Sequence, residues 1–175
     1  IFSVFFLIGH LNNDQLLTII PTLFIAAIVV FLLFNWHPAK IFMGDSGSLM
    51  IGFVISALGI HTLNYIEPIS IIYIAVLPIF DSIIVFFRRI SKGNSPFAPD
   101  RSHLHHIVLD QFNGNVTKTV MTIAMIQISF SVVGLFLVAQ IEDSFVPLVV
   151  FVALLLATYK LSSNLYFSQE KNRAL

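Results

Sequence analysis

The sequence contains no cysteine, and Asp, Glu, Lys and Arg together make up only 10 % of its 175 residues. The first absence excludes disulfide scaffolds, thiol catalysis and cysteine-based zinc sites. The second is more telling, because an average globular domain is about 25 % charged. Hydrophobic residues reach 57 % and the mean hydropathy is +0.93. A chain this poor in charge could not cover its own surface in water, which excludes a soluble enzyme, a nucleic-acid binder and a disordered tail. Nine basic and nine acidic residues cancel, so net charge points to no partner. The chain begins at Ile1, without a basic leader region or a cleavage site. The expectation is a piece of a longer protein, cut inside a hydrophobic segment. No internal repeat or low-complexity tract is visible.

What is present is a series of apolar runs. A membrane span needs about 20 mostly apolar residues. Leu16–Phe34, Ser48–Tyr65, Ile69–Phe87 and Thr119–Ala139 meet that length, and only Asp81 places a charge inside them. Ser144–Tyr159 is short and would be completed by Lys160 reaching to the interface. Ile1–Gly9 reads as the end of a further span. Backbone groups find no partner in lipid, so the runs must be helices, and they are too long and continuous for barrel strands. The expected architecture is all-α: a polytopic membrane helix bundle with five complete transmembrane helices plus a truncated one, forming a single transmembrane domain over 1–175.

Basic residues then set the sidedness. With five alternating crossings, all nine Lys and Arg fall on one side. The other side carries only Asp14, Glu67, Glu142 and Asp143. The connections 35–47 and 88–118, and the C-terminal tail, are therefore predicted to be cytoplasmic. These two loops hold the polar chemistry.

The first loop ends in Gly44-Asp45-Ser46-Gly47-Ser48. Glycines beside an Asp and two serines let backbone N–H groups approach an anion, and the following helix N-terminus favours one. Asp45 is a hard oxygen ligand suited to Mg²⁺. The competing explanation is helix capping by Asp45 or Ser46. The likeness of Gly-Asp-Ser-Gly to a trypsin-type nucleophile turn is dismissed, since that fold is a soluble β-barrel.

The second loop contains His103-Leu104-His105-His106, preceded by Asp100 and Arg101. Neutral His binds metals and protonated His neutralises phosphate. The alternative is an interfacial loop in which His is merely polar. His10, His37 and His61 stand alone in sequence and read as structural or surface residues. Asp81 lies inside a span just after Pro78, which should kink the helix and free a carbonyl. It is either part of a site or a bundle-stabilising partner. Arg88 and Arg89 read as juxtamembrane anchors to anionic lipid. Arg101, two residues before His103, reads as a phosphate ligand.

A carboxylate in a Gly/Ser turn, a His cluster and an Arg on one membrane face suit chemistry on phosphates. The motifs carry a resemblance. Asn35 to Phe53, with Pro38-Ala39, Ile41-Phe42-Met43-Gly44-Asp45, Gly47-Ser48 and Gly52-Phe53, resembles a signature of the polyprenyl-phosphate N-acetylhexosamine-1-phosphate transferases. Arg88-Arg89-Ile90, Lys92-Gly93, Ser95-Pro96-Phe97, Pro99-Asp100-Arg101 and His103-Leu104-His105-His106 resemble a second. The wording is closest to the undecaprenyl-phosphate N-acetylglucosamine-1-phosphate branch. The resemblance implies an Mg²⁺-dependent phosphoglycosyl transferase, with Mn²⁺ as the alternative ion. It would move N-acetylhexosamine-1-phosphate from a UDP-sugar to polyprenyl phosphate, release UMP and start cell-envelope polysaccharide synthesis such as that of lipopolysaccharide O-antigen. It implies Asp45 as metal ligand; His103, His105 and His106 as catalytic residues; and Arg101, Gly44, Ser46, Gly47, Asn35 and Asp81 at the substrate. It implies a multi-pass protein of the bacterial inner membrane, no nucleic acid, and room for a homodimer. The family's upstream acidic pair has no counterpart in this chain, so the chain alone is expected to be inactive. The rival class is a fragment of a non-enzymatic transporter with a His-rich cytoplasmic loop.

Overall fold

The computed structural model describes residues 1–91, 93, 95, 103–141 and 143–173, with side chains up to 160 and at 163 and 164. Among them are eight helices and no strand: α1 (Phe2–Leu11), α2 (Gln15–Asn35), α3 (Gly44–Thr62), α4 (Pro68–Ile74), α5 (Val76–Ser91), α6 (Leu104–Gln111), α7 (Val116–Gln140) and α8 (Phe145–Arg173). The protein is an all-α membrane bundle, as its composition requires. Helices α2 and α7 are each long and apolar enough to cross a membrane, and α4 with α5 would count as a third, broken span. Helix α3 and the stretch Phe145–Lys160 of α8 are also helical where spans were expected. The first turn of α3, however, is the polar Gly44–Ser48, and Phe145–Lys160 is shorter than a full span. The chain forms two compact units, 1–71 and 72–175.

In the first unit α1 lies against α2. Lipid supplies little hydrophobic drive between helices, so small residues that let backbones approach carry the packing. Gly9 does this: a Cβ there would stand 2.6 Å from the Leu17 carbonyl carbon. Phe5 and Leu17 are buried in that contact, and the rings of Phe2 and Phe24 stack with centroids 5.0 Å apart.

The second unit is organised around a break. The chain turns by 79° between α4 and α5. Sequence placed the disturbance at Pro78; the structure puts the break at Ala75, three residues earlier, with Pro78 inside the first turn of α5. The physical link is the missing proline N–H. It leaves the carbonyl of Ile74, four residues back, without its helical donor. Gln127 of α7 fills the gap. Its Nε2 donates to Ile74 O at 2.9 Å and its Oε1 accepts from Leu77 N–H at 3.2 Å. Ser131, one turn on, donates to Tyr73 O at 3.4 Å. Gly134 completes this face of α7, since a Cβ there would meet the Tyr73 ring at 2.2 Å. Tyr73 is fully buried and donates its hydroxyl to Pro147 O at 2.9 Å. Phe80 then packs between Phe130 and Phe151, with ring centroids at 5.9 and 5.0 Å.

Gln127→Leu should therefore strand two backbone groups at once, each at a cost of about 1–3 kcal/mol. Gly134→Ala should push Tyr73 aside at a similar cost. Gly52→Ala, where no neighbour lies within 4 Å, should be neutral. Thermal unfolding in detergent checks this ordering: a clear drop in Tm for the first two variants and none for the third.

Candidate functional site

The segment 36–43 links α2 to α3. Asn35 Nδ2 donates to Ile41 O at 2.7 Å, and Lys40 N–H to Phe34 O at 2.8 Å. Asn35 is thus a staple of this turn. Gly44 has φ +65°, a conformation L side chains rarely adopt, and this lets the chain enter α3 directly. Helix α3 starts four residues before the expected Ser48, so Asp45, Ser46 and Gly47 belong to its first turn and not to a loop. Capping by Asp45 or Ser46 is not what the structure shows. The N-cap is Met43, which makes no side-chain cap bond. Asp45 is exposed in the first turn, and its carbonyl accepts from Ser48 Oγ at 2.9 Å. Its carboxylate thus stands beside the positive end of the helix dipole.

In the second unit most of the described residues of the expected loop 88–118 are helical. Helix α5 continues to Ser91, and His105 and His106 sit in the first turn of α6. Arg88 is 1 % exposed, which overturns its assignment as a lipid anchor. It shares a face of α5 with buried Ile84 and Val85 at helical spacing. Asp81 lies on the same helix, two turns before Arg88. Its Oδ2 is 2.8 Å from His103 Nδ1, and its Oδ1 accepts from Leu104 N–H at 2.7 Å. One carboxylate therefore caps α6 and holds its N-cap histidine. The rings of His103 and His105 stack at 5.8 Å, and those of His105 and His106 lie 4.2 Å apart. His105 is held below its usual pKa, first by desolvation among its neighbours, then by repulsion from His106 and His103, with Asp81 opposing. At the end of α6 the chain turns through Asn113 and Gly114, both at positive φ, into the Asn115 cap of α7. Arg101 lies outside the described residues.

Asp45 belongs to the first unit, and Asp81 with the His cluster to the second. Among the described residues no group of three or more His, Asp or Glu could hold a metal by itself. Asp45 nevertheless fits Mg²⁺ as one ligand of several, because this ion uses one or two carboxylates together with waters and substrate phosphates. Sequence reasoning missed Gln127; its signal was a lone amide inside an apolar span. It also left His61 without a partner. Asp14 caps α2 through Leu17 N–H at 2.9 Å, and also receives His61 Nε2 and Tyr65 OH, each at 2.8 Å.

Comparison with known proteins supports the motif reading. Residues 1–63 match the model of glycosyl transferase family 4. The undecaprenyl-phosphate alpha-N-acetylglucosaminyl 1-phosphate transferase of Salmonella typhi is 39 % identical over 93 residues, covering 49 % of this chain and 25 % of that protein. The Escherichia coli K12 protein of the same name is 37 % identical over 93 residues, with the same coverage. A probable undecaprenyl-phosphate N-acetylglucosaminyl 1-phosphate transferase of Bacillus subtilis is 40 % identical over 112 residues, covering 62 % of this chain and 31 % of that protein. The resemblance to the polyprenyl-phosphate N-acetylhexosamine-1-phosphate transferases is thereby borne out. The chain spans about a quarter to a third of the length of these relatives. No solved structure matches.

The Asp14 carboxyl is depressed to about 2 from 3.8, by the Leu17 N–H first, then by His61 and Tyr65. A depressed acid stabilises the fold above its unfolded pKa, and that contribution fades as pH falls through the folded value. Stability should thus decline between about pH 4 and pH 2, and this decline should be smaller in Asp14→Asn. Melting curves of both proteins across that window check it; equal slopes would show that the carboxylate contributes nothing.

Proposed function

We propose that this chain forms part of an enzyme that transfers N-acetylhexosamine-1-phosphate, in particular N-acetylglucosamine-1-phosphate, from a UDP-sugar to a polyprenyl phosphate such as undecaprenyl phosphate. The observation that carries the proposal is the similarity to transferases of that name in a chain that also bears both the Asp45 turn and the His103–His106 cluster. The lipid phosphate oxygen attacks the sugar-bearing phosphorus of the donor. The bond from that phosphorus to the bridging oxygen breaks, and UMP leaves with the electron pair.

The chain's own residues meet the charge problem of bringing two phosphates together. The exposed first turn of α3 offers backbone N–H groups of Gly44, Ser46 and Gly47 to a phosphate. His105, His106 and Arg101 supply donors to the diphosphate, and His103, at the head of the same cluster, meets the nucleotide sugar beside it. Asp45 would hold Mg²⁺, which spreads the negative charge when bound, with Mn²⁺ as a substitute. Asn35 keeps the 36–43 turn closed beside this helix end. The sites would face the cytoplasm of a bacterial inner membrane, where the nucleotide sugar is found, and the lipid product would enter cell-envelope polysaccharide synthesis. A transporter gains no support from the intramembrane Gln127, Ser131 and Asp81, since the first two are bonded to backbone and Asp81 is bonded to His103 and the Leu104 N–H.

Membranes holding the full-length protein should incorporate radiolabelled UDP-N-acetylglucosamine into lipid. Asp45→Asn should abolish this while leaving Tm nearly unchanged, because the residue is exposed. Retained turnover at limiting Mg²⁺ would remove Asp45 from the site.

His103→Ala and His105→Ala should each lower kcat/KM for the nucleotide sugar about ten- to a hundredfold. His10→Ala is the control, being exposed, with its ring stacked on Phe6. His61 cannot serve, since its bond to Asp14 makes it structural. Equal losses in all three variants would make the cluster structural.

A further inference from the structure

The two bonds of Asp81 fix more than a helix start. A carboxylate offers only acceptors, so the hydrogen shared with His103 belongs to Nδ1. In a neutral imidazole only one nitrogen carries hydrogen, so Nε2 is left with its lone pair. In the charged ring Nε2 becomes an N–H donor. In either state Nε2 is the nitrogen left for a ligand, and in the neutral ring Asp81 makes it an acceptor. The second bond, to Leu104 N–H, anchors the very next residue, so the ring and the backbone that carries it are held by the same group.

We infer that Asp81 is a positioning residue: it sets the tautomer and orientation of His103 so that the Nε2 lone pair is presented as an acceptor to a hydroxyl of the nucleotide sugar. The inference rests on the transfer reaction for its consequence, and on the Asp81–His103–Leu104 geometry for its basis. The carboxylate takes no part in bond making; it acts through the imidazole.

The decisive variant is Asp81→Asn. Its carbonyl can still accept from Leu104 N–H, so α6 keeps its cap. Its amide group would face Nδ1 as a donor, which drives the hydrogen of a neutral His103 to Nε2. Nitrogen-15 histidine NMR of the full-length protein in detergent, with His103 assigned from a His103→Gln sample, should show that exchange. Turnover should fall about ten- to a hundredfold in kcat/KM for the nucleotide sugar, with KM for the polyprenyl phosphate unchanged. Asp81→Glu should restore the wild-type tautomer and part of the rate. In a His103→Gln background Asp81→Asn should cost nothing further, whereas a merely structural role would add its own loss.

An unchanged His103 spectrum in Asp81→Asn, or an additive loss in the double variant, would overturn the inference. If Asp81→Asn fails to fold, the Asp81→Glu spectrum and rate decide instead: a disordered His103 tautomer with full turnover would be equally fatal. A wild-type protein that transfers no sugar phosphate would overturn the reaction, not the positioning role, which the nitrogen spectrum tests by itself.

Discussion

Everything in the second unit depends on how a broken helix satisfies its backbone where no water is at hand. In hydrocarbon an unpaired N–H or C=O is costly, and a break leaves several. The Gln127 side chain carries the same amide as a peptide bond, and it stands where the interrupted ladder lacks one, accepting from Leu77 and donating to Ile74. The direction of α5 follows from that substitution. So does the location of Phe80 in its aromatic nest, and of Asp81 one residue further along. Gly134 makes the arrangement sterically feasible by leaving room for the Tyr73 ring.

The same electrostatic device occurs twice. Asp14 and Asp81 each accept a helix N-terminal N–H and an imidazole, from Leu17 and His61 in one case and from Leu104 and His103 in the other. Asp14 caps its own helix, whereas Asp81 caps a helix 23 residues away in sequence. Asp45 differs from both. It occupies an exposed helix turn whose N-cap is a methionine, so its carboxylate is available to something outside the chain.

Much of this was legible in the sequence, for a physical reason. Lipid imposes one secondary structure on long apolar runs, so α2 could be read to within one residue at each end and α7 to within three. The chemistry-bearing residues were legible as clusters because charge and His are so scarce in this chain. Boundaries set by polar turns were not. The start of α3 at Gly44 depends on a positive φ that one glycine permits, and α6 depends on a cap delivered from α5. The carbonyl that Pro78 frees could be predicted, but the identity of its partner could not, since that requires knowing which face of α7 meets the break. Arg88 was misjudged because two arginines at a helix end look interfacial, while tertiary packing puts the first of them inside.

The Asp14 knot has a consequence for the order in which the first unit is built. Asp14 leaves the ribosome 47 residues before His61 and 51 before Tyr65. Its bond to Leu17 is local, so α2 can be capped as soon as its first turn exists. The other two bonds require the chain to have gone out along α2 and come back along α3. The carboxylate therefore acts as a register mark during synthesis. It starts one helix early, and it accepts its last partners only when the returning helix has reached its full length.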